Sequence, residues 1–76
     1  MTDKEILQAA LKESGMKQAD IAKKLGVNKS TVSTNMRRDH MSVDVFLKLL
    51  EVMGYKVAVF KESEEDVRRW IVKRGD

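Results

Sequence analysis

Between Gly15 and Gly26 the chain has room for one short helix, Gln18-Ala19-Asp20-Ile21-Ala22-Lys23-Lys24-Leu25. At 3.6 residues per turn this is only about two turns. An isolated helix shorter than ~12 residues is marginal in water, so this one must be held by neighbours. Ile21, Ala22 and Leu25 fall on one face and supply the contact. A second helix crossing it at a wide angle needs a small residue at the crossing, and Ala22 meets that need. The turn between them needs a residue that tolerates positive φ, which Gly26 does. The following helix must be pinned from beneath by an apolar side chain, here Val32.

The surrounding sequence supplies the neighbours. Thr2 and Glu5 form a capping-box pattern for a helix over residues 3–14, with Ile6, Leu7, Ala10, Leu11 and Ser14 at helical spacing and Gly15 as its stop. Val27-Asn28 is a connection, and Asn28 is a favourable N-cap. Residues 29–37 are rich in Ser, Thr, Val and Asn, so their helix propensity is poor. The cap, the Val32/Met36 pair and the preceding helix nevertheless favour a helix there. Ser42 caps the next one, whose Val43, Phe46, Leu47, Leu49, Leu50 and Met53 give a wide apolar face ended by Gly54. Met16, Met36, Met41 and Met53 read as core fillers.

After Gly54 the period changes. Tyr55-Lys56-Val57-Ala58-Val59-Phe60-Lys61 reads as a strand. Ser63 then caps an expected short helix over residues 64–74. Its acids, Glu64, Glu65 and Asp66, precede its bases, Arg68, Arg69, Lys73 and Arg74, in the order a helix dipole favours. Val67, Trp70 and Ile71 form its apolar stripe.

Charge is concentrated in the first half of the molecule. The net charge of +3 lies wholly within residues 1–40, and residues 23–38 contain five bases (Lys23, Lys24, Lys29, Arg37, Arg38) and no acid. Such clustering is what phosphate binding needs, since each neutralised phosphate releases counterions. The outward face of the helix at residues 29–37 then consists of Lys29, Ser30, Ser33, Thr34 and Arg37, short polar or basic groups suited to bases and phosphates.

The run Q-A-D-I-A-K-K-L-G-V-N-K-S-T-V-S, with the spacing Q-x3-A-x3-G-x5-V, resembles the helix-turn-helix of the lambda-repressor-like (Cro/repressor, XRE) DNA-binding proteins. The resemblance extends over residues 3–54, and S-V-D-V-F-L-K-L-L-E-V-M-G-Y resembles the helix that closes this domain. It implies sequence-specific binding in the major groove, usually as a dimer. By the match, Gln18 contacts a phosphate, and Lys29, Ser30 and Thr34 face base edges with Ser33 nearby. Lys23, Lys24, Arg37 and Arg38 are further phosphate candidates from the charge cluster. Two positions depart from the pattern. Asn35 stands where the family has an apolar residue, leaving Met36 to take over the packing. Lys29 stands where Gln is frequent.

The expected fold is mainly α. A compact four-helix helix-turn-helix domain spans residues 1–54, and residues 55–76 form a strand-plus-helix extension. A chain of 76 residues buries only about 60% of its unfolded surface, so self-association would supplement its core. With no second strand in view, the strand at 55–61 is expected to pair with its copy across a two-fold axis. Tyr55, Val57, Val59, Phe60, Trp70 and Ile71 are the candidate dimerisation residues, with Tyr55, Val57 and Val59 on one face and Lys56, Ala58 and Phe60 on the other.

The leading expectation is a dimeric transcriptional regulator of bacterial or phage type that binds a palindromic operator in double-stranded DNA. The alternative is a protein-interaction module, such as an antitoxin or a phage inhibitor of a host protein, docking through residues 63–74. No enzyme is expected, since Ser30, Ser33 and Thr34 lack a placed base. The absence of Cys and the single His40 point to no metal and no cofactor. No apolar run approaches the ~20 residues of a membrane span, and the N-terminal stretch lacks a signal-peptide core, so the expected location is cytoplasmic.

Overall fold

The computed structural model describes residues 1–64 and 68–74. Its elements run α1 (Asp3–Ser14), α2 (Gln18–Leu25), α3 (Lys29–Arg37), α4 (Val43–Val52), β1 (Val57–Phe60), a 3-10 turn at Glu62–Glu64, and β2 (Arg68–Val72). The fold is mainly helical with a small sheet, and the four helices expected over residues 1–54 are present. Among the described residues no helix is long and apolar enough to cross a membrane.

Local chemistry sets the helix ends. At α1 the Glu5 N–H donates to the Thr2 hydroxyl and the Thr2 N–H donates back to the Glu5 carboxylate, each at 3.2 Å. The Thr2 N–H bond foremost, and then a second bond donated by the Thr2 hydroxyl to the same carboxylate at 3.0 Å, hold the Glu5 carboxyl below its ordinary pKa. At the end of α2, Gly26 adopts a left-handed conformation with φ of 70°. The Val27 N–H then reaches the Ala22 carbonyl at 3.0 Å and the Gly26 N–H reaches Lys23 at 3.3 Å, a paired closure that turns the chain sharply into α3. Gly54 repeats the device after α4, where the Tyr55 N–H bonds the Leu50 carbonyl at 2.9 Å.

The core lies among the four helices. Leu7 and Ala10 of α1, Ile21 and Ala22 of α2, Val32 and Met36 of α3, and Leu49 and Leu50 of α4 are buried together with Met53. Met16 and Met41 pack against this cluster from its margin. Full burial of such an aliphatic side chain is worth roughly 1.5–3 kcal/mol, and this burial supports the two short helices α2 and α3. Met36 is fully buried while Asn35 is only half-buried, so the methionine holds the packing position that the asparagine leaves. One expected core residue is misplaced: Val43 is 68% exposed, and Val45 packs against the core instead. Val43 is the first residue of α4, at the outer end of the helix, beyond the reach of the other three.

The C-terminal stretch corrects the sequence expectation. Residues 68–72 form a strand, where a helix over 64–74 was expected. β1 and β2 pair antiparallel, with Val57 opposite Val72, Ala58 opposite Ile71 and Val59 opposite Trp70. The reason is tertiary. The Trp-Ile-Val run suits a pleated surface, and pairing it with β1 satisfies backbone groups along one edge of β1 that a helix would leave open. The charge order that suggested a helix dipole is overridden. Val67, placed on the expected helical stripe, lies outside the described residues, as do Glu65 and Asp66. The premise that β1 has no partner within the chain therefore fails, and so does the docking helix on which the protein-interaction alternative drew. The register shifts between Val59 and Phe60, whose partners are Trp70 and Arg68, so the extra residue of the irregularity lies on β2.

Candidate nucleic-acid interface

The α2–α3 unit presents a helix supported from one side only. Beneath α3, Val32 and Met36 are 1% and 0% exposed. Above them Ser30, Thr34 and Arg37 are exposed and Ser33 is half-buried, while Lys29, one turn before Val32 on the inner side, is exposed as the first residue of the helix. Successive residues turn by about 100°, so Thr34 stands opposite the buried pair, with Ser30 and Arg37 beside it. Ser33 is rotated towards the flank, which explains its partial burial.

Two residues outside the expected base-facing set share this surface. Thr31 is exposed and lies one turn before Thr34, on the same outward strip. Helical spacing alone carried that signal. Asn28, read from sequence as a capping residue, occupies the N-cap backbone position, yet its side chain makes no capping hydrogen bond. Its exposed carboxamide is thus free at the mouth of α3. The sequence does not distinguish an asparagine that caps from one that only stands at the cap.

The candidate phosphate residues lie around this strip. Lys23 and Lys24 are exposed at the end of α2, and Arg37 and Arg38 are exposed at the end of α3. Gln18 is half-buried at the start of α2, in the first turn, where N–H groups lack intrahelical partners. The nearest acids are turned to other tasks. The Asp20 carboxylate accepts the Lys17 N–H at 2.9 Å, and Asp39 lies 3.7 Å from the Lys4 ammonium on α1. The exposed cations of residues 23–38 therefore meet solvent with no carboxylate interleaved in that stretch, and polyanions are what such a surface attracts.

The candidate dimerisation residues divide into two groups. Tyr55 and Val57 are half-buried and pack against the helical core. Val59, Phe60, Trp70 and Ile71 are exposed on the hairpin.

Residues 2–38 match the winged helix-turn-helix DNA-binding family. The match begins at the α1 cap, takes in α1, α2 and α3, and ends at Arg38, the last cation of the acid-free stretch. It supports a helix-turn-helix of DNA-binding type without singling out the Cro/repressor branch. No curated protein and no solved structure matches the chain.

Proposed function

We propose that this chain is a sequence-specific DNA-binding transcriptional regulator of bacterial or phage type, similar to the Cro/repressor branch, that binds a palindromic operator as a dimer. The observation that carries the reading is α3 itself, a helix fixed from beneath by Val32 and Met36, with Lys29, Ser30, Thr31, Thr34 and Arg37 open to solvent. The major groove of B-DNA, about 12 Å wide, admits one such helix. In this reading Lys29, Ser30 and Thr34 meet base edges, with Thr31 and Asn28 beside them and Ser33 at the margin. Gln18, Lys23, Lys24, Arg37 and Arg38 meet phosphates and fix the docking register. The mechanism is equilibrium binding: an occupied operator occludes or recruits polymerase. The protein then works in the cytoplasm, at the nucleoid.

Selection of bound duplexes from a random pool tests this. The expected outcome is enrichment of an inverted repeat whose half-sites are centred about 34 Å apart, one helical turn. Equal retention of all sequences, or none, sinks the reading.

A further inference from the structure

The two strands of the hairpin are finished differently. β2 carries the extra residue of the ladder, and just beyond it Arg74 bonds Glu51 of α4 at 3.1 Å. β1 has none of the devices that blunt an edge strand. Val57-Ala58-Val59-Phe60 holds no proline and no charge, and its outer edge has no strand partner among the described residues. The N–H and C=O groups along such an edge are a template for one more strand.

The same edge borders an open apolar groove of about 360 Å³ between α1 and α4, to which Ile6, Ala9, Phe46 and Val57 contribute. Among the described residues none from α2 or α3 lines it, so it lies apart from the outward face of α3. By the two-residue period of a strand, Val57 and Val59 share the face that begins at this groove. Val57 is half-buried there and Val59 is exposed. Lys56 and Lys61 stand exposed at the two ends of β1. Residues 55–61 and 68–74 together hold six bases (Lys56, Lys61, Arg68, Arg69, Lys73, Arg74) and no acid.

We propose that this edge is a docking site for an extended segment of another protein, apolar along one face and acidic at its ends, which adds to β1 as a third strand. In this mode main-chain bonds supply affinity and alternate side chains supply specificity. In antiparallel pairing, an apolar residue opposite Val57 enters the groove beside Ile6 and Phe46. A second apolar residue covers Val59, and acids stand opposite Lys56 and Lys61. Unlike charges directly opposed favour a sheet and like charges oppose it, which decides between occupants. A second copy of the chain brings the same six bases to this edge. A nucleic acid offers the charge but neither a strand ladder nor apolar side chains for the groove. An acid-ended strand satisfies the backbone, the groove and the charge together. The site does not depend on the operator reading, because the partner and DNA engage different faces and one chain can hold both.

The probe is a capped, fluorescent peptide as long as residues 56–61, E-T-V-T-V-E, read by anisotropy against the full-length chain. Saturable binding is expected, weakening as salt rises, since the paired charges are exposed. The charge-reversed peptide K-T-V-T-V-K is expected to bind roughly tenfold more weakly or worse, with two attractive pairs turned repulsive. E-T-P-P-V-E is expected to lose binding, because one of two adjacent prolines must face the ladder and cannot donate to it. Lys56→Glu combined with Lys61→Glu is expected to reverse the preference between the two charged peptides. Ala9→Gln, at an exposed position of α1, puts a polar group in the groove without altering charge and is expected to weaken E-T-V-T-V-E. Helical circular dichroism identifies any variant that fails to fold, and the three peptides on wild type then still decide. No binding of E-T-V-T-V-E, or equal binding of the two charged peptides, overturns the docking site. No binding together with a dimer that Val59→Glu disperses in sedimentation assigns the edge to a second copy. A double lysine variant that loses affinity for duplex DNA yet still prefers the acidic peptide assigns the hairpin to DNA and likewise overturns the docking site.

Discussion

The Tyr55 hydroxyl donates a hydrogen bond to the Glu13 carboxylate, fastening the turn that leaves α4 to the last turn of α1. The bond requires the neutral phenol, and it raises the Tyr55 pKa above its ordinary value. Partial desolvation and the negative charge of Glu13 add to the shift. A group whose folded pKa is raised stabilises the fold fully below its unfolded pKa and loses that contribution as pH rises through the folded value. Tyr55 is the only tyrosine, so its ultraviolet titration is unambiguous. It is expected to ionise at higher pH in the folded protein than in urea. The stability advantage of wild type over Tyr55→Phe is expected to be constant near neutrality and to fade above the ordinary tyrosine range. A titration identical in both states would show that the bond is absent in solution.

Asn28 and Ser42 occupy equivalent N-cap positions with different consequences. The Ser42 hydroxyl accepts the Val45 N–H at 3.2 Å, whereas the Asn28 side chain caps nothing. Ser42→Ala is expected to cost about 0.5–2 kcal/mol of unfolding free energy. Asn28→Ala should stay within roughly 0.5 kcal/mol, as an exposed substitution away from such features does, while weakening operator binding. Chemical denaturation of the two variants beside a gel shift separates the effects. Equal stability losses would return Asn28 to a capping role.

The helical part of the fold was legible because its punctuation is local. The Thr2/Glu5 cap, the left-handed Gly26 and the apolar spacing of α4 each act within a few residues, and the boundaries of α1 through α4 follow from them. The α3 surface was legible in outline, since Val32 and Met36 determine which residues must face out. The hairpin was not, because the state of residues 68–72 depends on a partner strand about ten residues away, while their charge order is equally suited to a helix. Propensity alone does not settle a short segment whose pairing is non-local. Val43 was misread for a related reason: helical spacing places a residue on a face but does not say how far the neighbouring helices extend.

Lys29 is exposed at the first position of α3 and tests the base-facing assignment directly. If its ammonium reads guanine, Lys29→Ala should cost about 1–3 kcal/mol at the preferred site and relax one base position. Neutralising a true phosphate contact among Lys23, Lys24, Arg37 and Arg38 should instead weaken all sequences alike and reduce the salt slope by roughly 1 per contact. Affinities measured across salt for matched and mismatched duplexes distinguish the two patterns. A uniform loss for Lys29→Ala would move it to the phosphate group, and a slope unchanged by all four other variants would remove the basic cluster from binding.

The poor intrinsic helix propensity of α3 leaves its order dependent on Met36. This side chain is fully buried among Leu7, Ile21 and Leu49, while its neighbour Asn35 is half-buried at the flank. Met36→Ala should therefore cost about 2–5 kcal/mol, through lost burial and the cavity left behind. In a domain this small that is a large share of a total stability of roughly 5–15 kcal/mol. Asn35→Ala should change stability far less, because it empties no core position. Amide exchange gives the local counterpart: α3 protons should exchange faster than those of α4 in the free protein, and should slow on addition of operator DNA. Comparable losses for the two variants would mean that the asparagine, in the position the helix-turn-helix pattern gives to an apolar residue, still carries the packing.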